Sequence, residues 1–282
     1  MRTPHPPLRW AGGKRQLLGH LLPLVPEKLS AYHEPFLGGG ALFFELSRIG
    51  RITPETDVVL GDSNKELIAC YQQIRDYPGG VISALREWEK AEEQLGSEVT
   101  YKTVRSSNFT QPEKQAAKLF YLNRTCYNGL YRVNKKGQFN VPWGKKPFKL
   151  TPEMVANLEA CRKALNTAVL LPHHWGHLWF SLPRPTRQTL FFFDPPYLKE
   201  NSLSFVGYNS RKFLEEAHMQ LAAWAVATAR NPEITVIITS SDTPRSREIY
   251  DKTPFNMVEV PVRRAINSNG SGRTGRELIF HN

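Results

Sequence analysis

Leu190-Phe191-Phe192-Phe193 runs without a polar residue into Asp194-Pro195-Pro196-Tyr197. The four apolar residues read as a buried strand. The two prolines end any regular element and fix a turn. The stretch predicts a carboxylate, two prolyl carbonyls and an aromatic ring held at a strand's C-terminal end. Those groups suit a planar amine such as N6 of adenine. The carboxylate and a carbonyl accept its two N–H bonds, and the ring stacks on the base. With both hydrogens engaged, the nitrogen lone pair can face an electrophile. A solvent-exposed turn after a core strand explains the same residues if the rest of the chain is silent.

The rest is not silent. Glu34-Pro35-Phe36-Leu37-Gly38-Gly39-Gly40 places three glycines after an apolar segment, where the backbone can approach a ligand closely. Ala41 to Leu46 then reads as a helix start. A glycine-rich strand-to-helix turn is the nucleotide-binding position of an open α/β sheet. The spacing is neither GxGxxG nor a P-loop, which disfavours NAD and ATP. Val58 to Asp62 reads as the next strand. Asp62 follows the glycines by about 20 residues, where a carboxylate takes ribose hydroxyls. It equally suits a helix N-cap before Asn64-Lys65-Glu66-Leu67, and both roles can hold together.

With 282 residues the chain can build one sizeable core, or a core with a smaller inserted domain. No apolar run reaches the 18 or so residues of a membrane span. The first residues carry no apolar signal region, so a soluble, cytoplasmic protein is expected. Cys70, Cys126 and Cys161 are unclustered and lack CxxC spacing, which fits reduced core thiols. His173-His174-Trp175-Gly176-His177 lacks a zinc-site spacing, and no metal is expected. The net charge of +11 favours a polyanionic partner, usually nucleic acid. Lys135, Lys136, Lys145, Lys146 and Lys149 crowd one segment, and Arg263, Arg264, Arg273 and Arg276 another.

Helices are predicted over 63–76, 79–96, 112–126, 152–165 and 213–230, the last long and amphipathic. Strands are predicted over 57–62, 168–171, 190–193, 233–240, 256–263 and 277–281. Residues 127–149, rich in Gly, Asn, Lys and aromatics, read as a loop and a β-hairpin turning near Lys135-Lys136-Gly137.

Five motifs in order give the chain a family resemblance. They are Leu8 to Lys14, Glu34 to Gly40, Tyr127-Asn128-Gly129-Leu130-Tyr131-Arg132 with Phe139-Asn140-Val141-Pro142-Trp143-Gly144, Asp194 to Tyr197, and Val262 to Gly270. Together they resemble the Dam-type DNA adenine-N6 methyltransferases over nearly the whole length. The resemblance implies an open, seven-stranded, Rossmann-like α/β sheet with an inserted, mainly helical recognition domain carrying the hairpin. The catalytic domain is expected over 1–62 and 161–282 and the recognition domain over 63–160; nothing in the sequence demands an oligomer, so a monomer is expected.

The resemblance further implies S-adenosylmethionine as cofactor, with Trp10, Gly12, Lys14, Glu34, Pro35, Phe36, Gly38, Gly39, Gly40, Asp62 and Asp194 around it. Trp10 equally suits a core aromatic, and Lys14 a helix-start cation. Asp194, Pro195, Pro196 and Tyr197 are the implied catalytic residues. Double-stranded DNA is the implied partner. Tyr127, Asn128 and Leu130 would enter the duplex beside a flipped adenine, Arg132 would read guanine, and Pro142 would touch a thymine methyl. Arg9 would reach a second guanine, or else a phosphate. Lys135, Lys136 and Lys145 suit phosphates, or else solvent; Asn140, Arg264 and Asn269 complete the implied DNA set. Phe205 to Ser210 resembles a mobile lid, and His218 reads as structural. The pattern of Arg9, Leu130, Arg132 and Pro142 points to GATC. An N4-cytosine or other-site methyltransferase, an RNA methylase and a non-catalytic DNA-binding regulator are the alternatives.

Overall fold

The apolar runs of the sequence become strands, and the glycines and prolines between them become their ends. The computed structural model describes residues 3–172, 188–198, 215–263 and 274–282. In chain order they form helix α1 (Leu18–Leu21), strand β1 (Ala31–Glu34), α2 (Ala41–Arg48), β2 (Asp57–Asp62), α3 (Lys65–Asp76), α4 (Pro78–Leu95), α5 (Ser97–Ser106), α6 (Pro112–Thr125), α7 (Pro152–Leu165) and β3 (Ala168–Pro172). Then follow β4 (Thr189–Phe193), α8 (Glu215–Thr228), β5 (Ile234–Ser241), α9 (Pro244–Tyr250), β6 (Asn256–Arg263) and β7 (Thr274–His281). The seven strands make one sheet in the order β3-β2-β1-β4-β5-β7-β6. This is the expected α/β class.

Two compact units can be distinguished. One comprises Met1–Gly13, Leu37–Thr53 and Leu60–His174; the other comprises Lys14–Phe36, Pro54–Val59 and Trp175–Asn282. In the first, α6 packs against α3, α4 and α5. Its Tyr121 donates to Glu92 Oε1 at 2.6 Å, and Glu92 Oε2 accepts the Phe148 amide at 2.9 Å. A buried carboxylate thus ties the segment after residue 145 to the helices. Helix α5 was not foreseen. Its β-branched Val99, Thr100, Thr103 and Val104 argue against a helix, yet Thr100, Tyr101 and Val104 bury one face.

In the second unit β4 lies parallel to both β1 and β5, with His33 opposite Phe191 and Phe193 opposite Ile238. Strand order reverses between β1 and β4, so a crevice is expected beyond their carboxyl ends. Glu34 ends the first and Asp194 follows the second. β7 runs antiparallel between β5 and β6, the expected closing hairpin. Phe191 and Phe193 stack at 2° to one another and meet the edge of Trp224 on α8. That helix buries Ala217, His218, Leu221, Ala222 and Ala225 along one face. Its outer positions include Ala223 and Ala227, so the amphipathic expectation holds for burial spacing and fails for residue chemistry.

The loop and hairpin region also differs from expectation. Residues 127–149 contain no ladder, only single bridges at Cys126–Trp143 and Val133–Phe139. The turn is closed by Asn134, whose side-chain oxygen accepts the amides of Lys136 and Gln138. A side-chain cap at one end and Pro142, which lacks an N–H, near the other leave little backbone for a regular ladder. All three cysteines are buried and free, as expected.

His33 is buried on β1, stacked 4.7 Å from Phe191, and neither ring nitrogen has a hydrogen-bond partner. Burial lowers its pKa from 6.5 to about 4. The unfolded chain therefore binds the extra proton between these values. Stability from this group is complete above pH 6.5 and is lost as pH falls through about 4. His33→Leu is expected to stabilise the protein by roughly 2 kcal/mol more at pH 5 than at pH 8. Urea titrations at the two pH values measure the difference.

Candidate active site

The glycine turn belongs to the first unit. Leu37 donates its amide to Gly61 O at 2.8 Å, and Gly38 donates to Asp62 Oδ2 at 2.9 Å. Gly38 and Gly40 have φ of 48° and 66°, a region that suits glycine. A Cβ on Gly38 would also lie 2.9 Å from Trp10 Cδ1. Trp10 thus packs on bare backbone, and its other neighbour is Tyr131, stacked at 5.3 Å. Tyr131 in turn donates to Glu66 at 2.9 Å. Tyr71 donates to Gly38 O at 3.0 Å.

Asp62 also accepts the Asn64 amide at 2.9 Å. The cap of α3 is Asn64, whose side chain accepts the Leu67 amide, so the capping alternative for Asp62 moves two residues along. Burial raises the pKa of Asp62, and the amides of Asn64, Gly38 and Ser63 oppose that rise. The result is a partly buried carboxylate beside an aromatic ring and a bare turn.

The base-facing candidates lie in the same unit. Asn123 on α6 is buried, accepts the Arg9 amide at 2.8 Å, and donates to Arg9 O at 2.7 Å and Gly129 O at 3.3 Å. One amide therefore fixes both the segment before Trp10 and the Tyr127–Gly129 turn. Within that turn Asn128 is left-handed at φ 55° and Tyr127 is 55% exposed. Leu130 is half-buried and Pro142 exposed. Arg132 is exposed and donates through Nε to Asn140 Oδ1 at 2.7 Å and through Nη2 to Asn140 O at 3.0 Å. Lys135, Lys136, Lys145 and Lys146 are exposed around the same segment.

In the second unit Asp194 to Tyr197 carry neither turn nor bend. The expected turn is instead an extended exit from β4, because proline fixes φ at a value that extended chain shares. Asp194 Oδ2 lies 2.7 Å from the buried Lys14 Nζ, and Oδ1 accepts from Thr239 at 2.8 Å. Lys14 Nζ also sits 4.8 Å from the Tyr197 ring centroid. Burial pushes the Asp194 carboxyl pKa up, and Lys14 and Thr239 pull it down. Tyr197 donates to Glu277 Oε2 at 2.8 Å, and burial beside Asp194 and Glu277 raises its pKa further. Glu34 is buried and accepts from Tyr32 at 2.8 Å. Pro35 is buried, and Phe36 meets Phe193 edge-on at 6.5 Å.

Arg264, Arg273, Asn269, the His173–His177 stretch and the Phe205–Ser210 segment lie outside the described residues. Arg276 is not a loose cation: it pairs with Glu259 at 3.0 Å and Asp242 at 3.6 Å. Gly12, at φ 79°, is exposed. Sequence reading missed Asn123, Thr239 and Glu277. Two of them had a signal: a run of hydroxyls, Thr239-Ser240-Ser241, closing an apolar strand, and a lone acid entering Leu278-Ile279-Phe280. Among the described residues no helix is long and apolar enough to cross a membrane, and no group of three or more His, Cys, Asp or Glu is placed to hold a metal ion.

A sheet that reverses order beside one partly buried carboxylate, and a bare glycine turn beside another, are consistent with an α/β methyltransferase fold. The model of the D12 class N6 adenine-specific DNA methyltransferases matches residues 10–266, and the chain belongs to that family. It is 32% identical to the type II methyltransferase M1.LlaDCHI of Lactococcus lactis subsp. cremoris, over 97% of this chain and 94% of that one. It is 33% identical to the DNA adenine methylase of Escherichia coli K12, over 94% and 90%. The type II methyltransferase M.MjaIII of Methanocaldococcus jannaschii is 32% identical, over 95% and 94%.

Removing the Asn123 amide leaves three main-chain groups without their partner, the Arg9 N–H, the Arg9 carbonyl and the buried Gly129 carbonyl. Asn123→Ala is expected to cost roughly 1–3 kcal/mol, read as a lower urea midpoint at unchanged slope. An unchanged midpoint would mean that water replaces the amide.

Proposed function

We propose that this chain moves the methyl group of S-adenosylmethionine to N6 of a flipped adenine in double-stranded DNA, within GATC. The observation that carries the proposal is the Asp194–Tyr197 segment, whose partly buried carboxylate is paired with Lys14, accepts from Thr239, and is set beside an aromatic ring. Membership of an adenine-specific family supplies the base.

The groups around the glycine turn fit the cofactor. Asp62 offers a carboxylate to ribose hydroxyls, Trp10 offers a ring, and Gly38 to Gly40 offer bare backbone. Bound S-adenosylmethionine supplies a methyl group on a positively charged sulfur. Asp194 and the Pro195 carbonyl accept the two N6 hydrogens, which turns the nitrogen lone pair outward. Tyr197 stacks on the base. The nitrogen gains the methyl as the sulfur–methyl bond breaks, the sulfur would keep that electron pair as a neutral thioether, and the amine's lost proton leaves through Asp194 to solvent. Rigid alignment of the reacting atoms supplies up to about 7–11 kcal/mol.

Residues 63–160 act as the recognition domain, and 1–62 with 161–282 as the catalytic domain. Tyr127, Asn128 and Leu130 fill the space that the adenine vacates. Arg132 reads guanine, Arg9 a second guanine, and Pro142 a thymine methyl. Asn140 holds Arg132 in place. Lys135, Lys136 and Lys145 contact phosphates. GATC is supported by the likeness of Arg9, Leu130, Arg132 and Pro142 to the family pattern. The protein works as a monomer and without a metal.

Two duplexes, one with GATC and one with its adenines already N6-methylated, test this with labelled cofactor. Label is expected only in the unmethylated duplex, and Asp194→Ala is expected to abolish it while duplex binding persists. Label in both duplexes would overturn the site assignment, and full turnover by the variant would overturn the role of Asp194.

Arg132→Ala is expected to lose roughly 1–3 kcal/mol of discrimination at one base pair, read from relative kcat/KM on single-substitution sites. A uniform loss across all sites would make Arg132 a phosphate contact instead.

A further inference from the structure

Pro195 and Pro196 have no N–H, so half of the segment that presents Asp194 has no amide with which to brace itself. It is braced from outside, each member by a different element. Asp194 takes Thr239 of β5, and Tyr197 takes Glu277 of β7. The third brace is His218 of α8. Its Nε2 lies 3.1 Å from Pro196 O, and its Nδ1 lies 2.6 Å from the Tyr250 hydroxyl.

The hydrogens of this relay follow from its acceptor. A carbonyl only accepts, so Nε2 carries the hydrogen. In a neutral ring Nδ1 is then a lone pair, and Tyr250 must donate. His218 is 0% exposed and Tyr250 1%. Tyr250 is itself wedged against Phe280 at 5.5 Å. The donation runs from Tyr250 to His218 to the Pro196 carbonyl, with no charge required. Burial lowers the pKa of His218 to about 4, which keeps the ring neutral.

The Pro196 carbonyl is thereby engaged by the protein. In extended or polyproline backbone, successive carbonyls point in different directions. Holding the Pro196 carbonyl on α8 limits how far the adjoining Pro195 peptide group can rotate. We propose that His218, oriented by Tyr250, is a positioning residue for methyl transfer: it holds the Pro196 carbonyl so that the Pro195 carbonyl and Asp194 meet the amine together. This rests on the methyl-transfer reading above. His218 touches neither substrate nor cofactor and acts only through the peptide group.

The test uses the full-length protein, with His218→Leu, His218→Gln and Tyr250→Phe. Single-turnover methylation of a duplex carrying the preferred site is measured beside the cofactor and duplex dissociation constants. His218→Leu is expected to slow transfer roughly ten- to a hundredfold, the scale of a small misplacement of reacting groups, with both dissociation constants within about twofold. His218→Gln, whose amide can still donate to the carbonyl, is expected to recover most of that loss. The ring nitrogen NMR signals of His218 are expected to report the Nε2–H tautomer in the wild type. Should the leucine variant fail to fold, Tyr250→Phe removes a single oxygen and is expected to slow transfer while altering that tautomer signal. A wild-type rate in His218→Leu, an equal loss in the leucine and glutamine variants, or an Nδ1–H tautomer would overturn this proposal alone. A wild-type protein that methylates no DNA would overturn the methyl-transfer reading and this proposal with it.

Discussion

The Lys14–Asp194 pair is the contact on which the second unit's chemistry depends. A carboxylate at the end of a strand of phenylalanines stands where burial alone favours its neutral acid. A buried ion pair is a poor source of stability, since desolvation offsets most of the attraction. Its presence at this position therefore points to use rather than to folding. The pair and the Thr239 hydrogen bond oppose the rise that burial causes in the carboxyl pKa, in a setting of low polarity beside the Tyr197 ring. In the proposed methyl transfer, each hydrogen bond from an incoming amine would count for more there than in water.

The first unit solves a different problem with a similar device. Asp62 is also a carboxylate that burial opposes, and here backbone amides rather than a cation restrain it. The amide of Gly38 is one of them, so the carboxylate and the glycine turn hold each other in place. Trp10 then packs where a side chain on Gly38 would stand. Carboxylate, bare backbone and ring form one cluster.

Much of this was legible in the sequence. Strands β2, β4, β5 and β6 and helices α3, α4, α6 and α7 fall within a residue or two of where apolar periodicity put them. The helices were the clearer because Asn64, Pro78, Gly96, Pro112, Pro152 and Asn166 mark their ends. Helix α5 escaped because its residues prefer strands one by one and become helical through a buried face. The extended course of Asp194–Tyr197 escaped because two prolines break regular structure without saying whether the chain turns or continues. The hairpin escaped in part because an asparagine side chain closes it. Among the site residues, those in motifs were visible as motifs. Thr239, Glu277, His218 and Asn123 act from elements distant in sequence, and their partners were unknowable before the chain was folded.

Asn123 has a consequence for anyone who would re-engineer this chain. Its single amide grips the main chain of Arg9 and of Gly129, two segments about 120 residues apart in sequence. Neither segment is an independent cassette. A chimera that borrowed residues 127–142 from a relative would inherit a turn cut to fit another protein's amino terminus. To transplant one faithfully, residues 7–10 and the end of α6 would have to travel with it as a single graft.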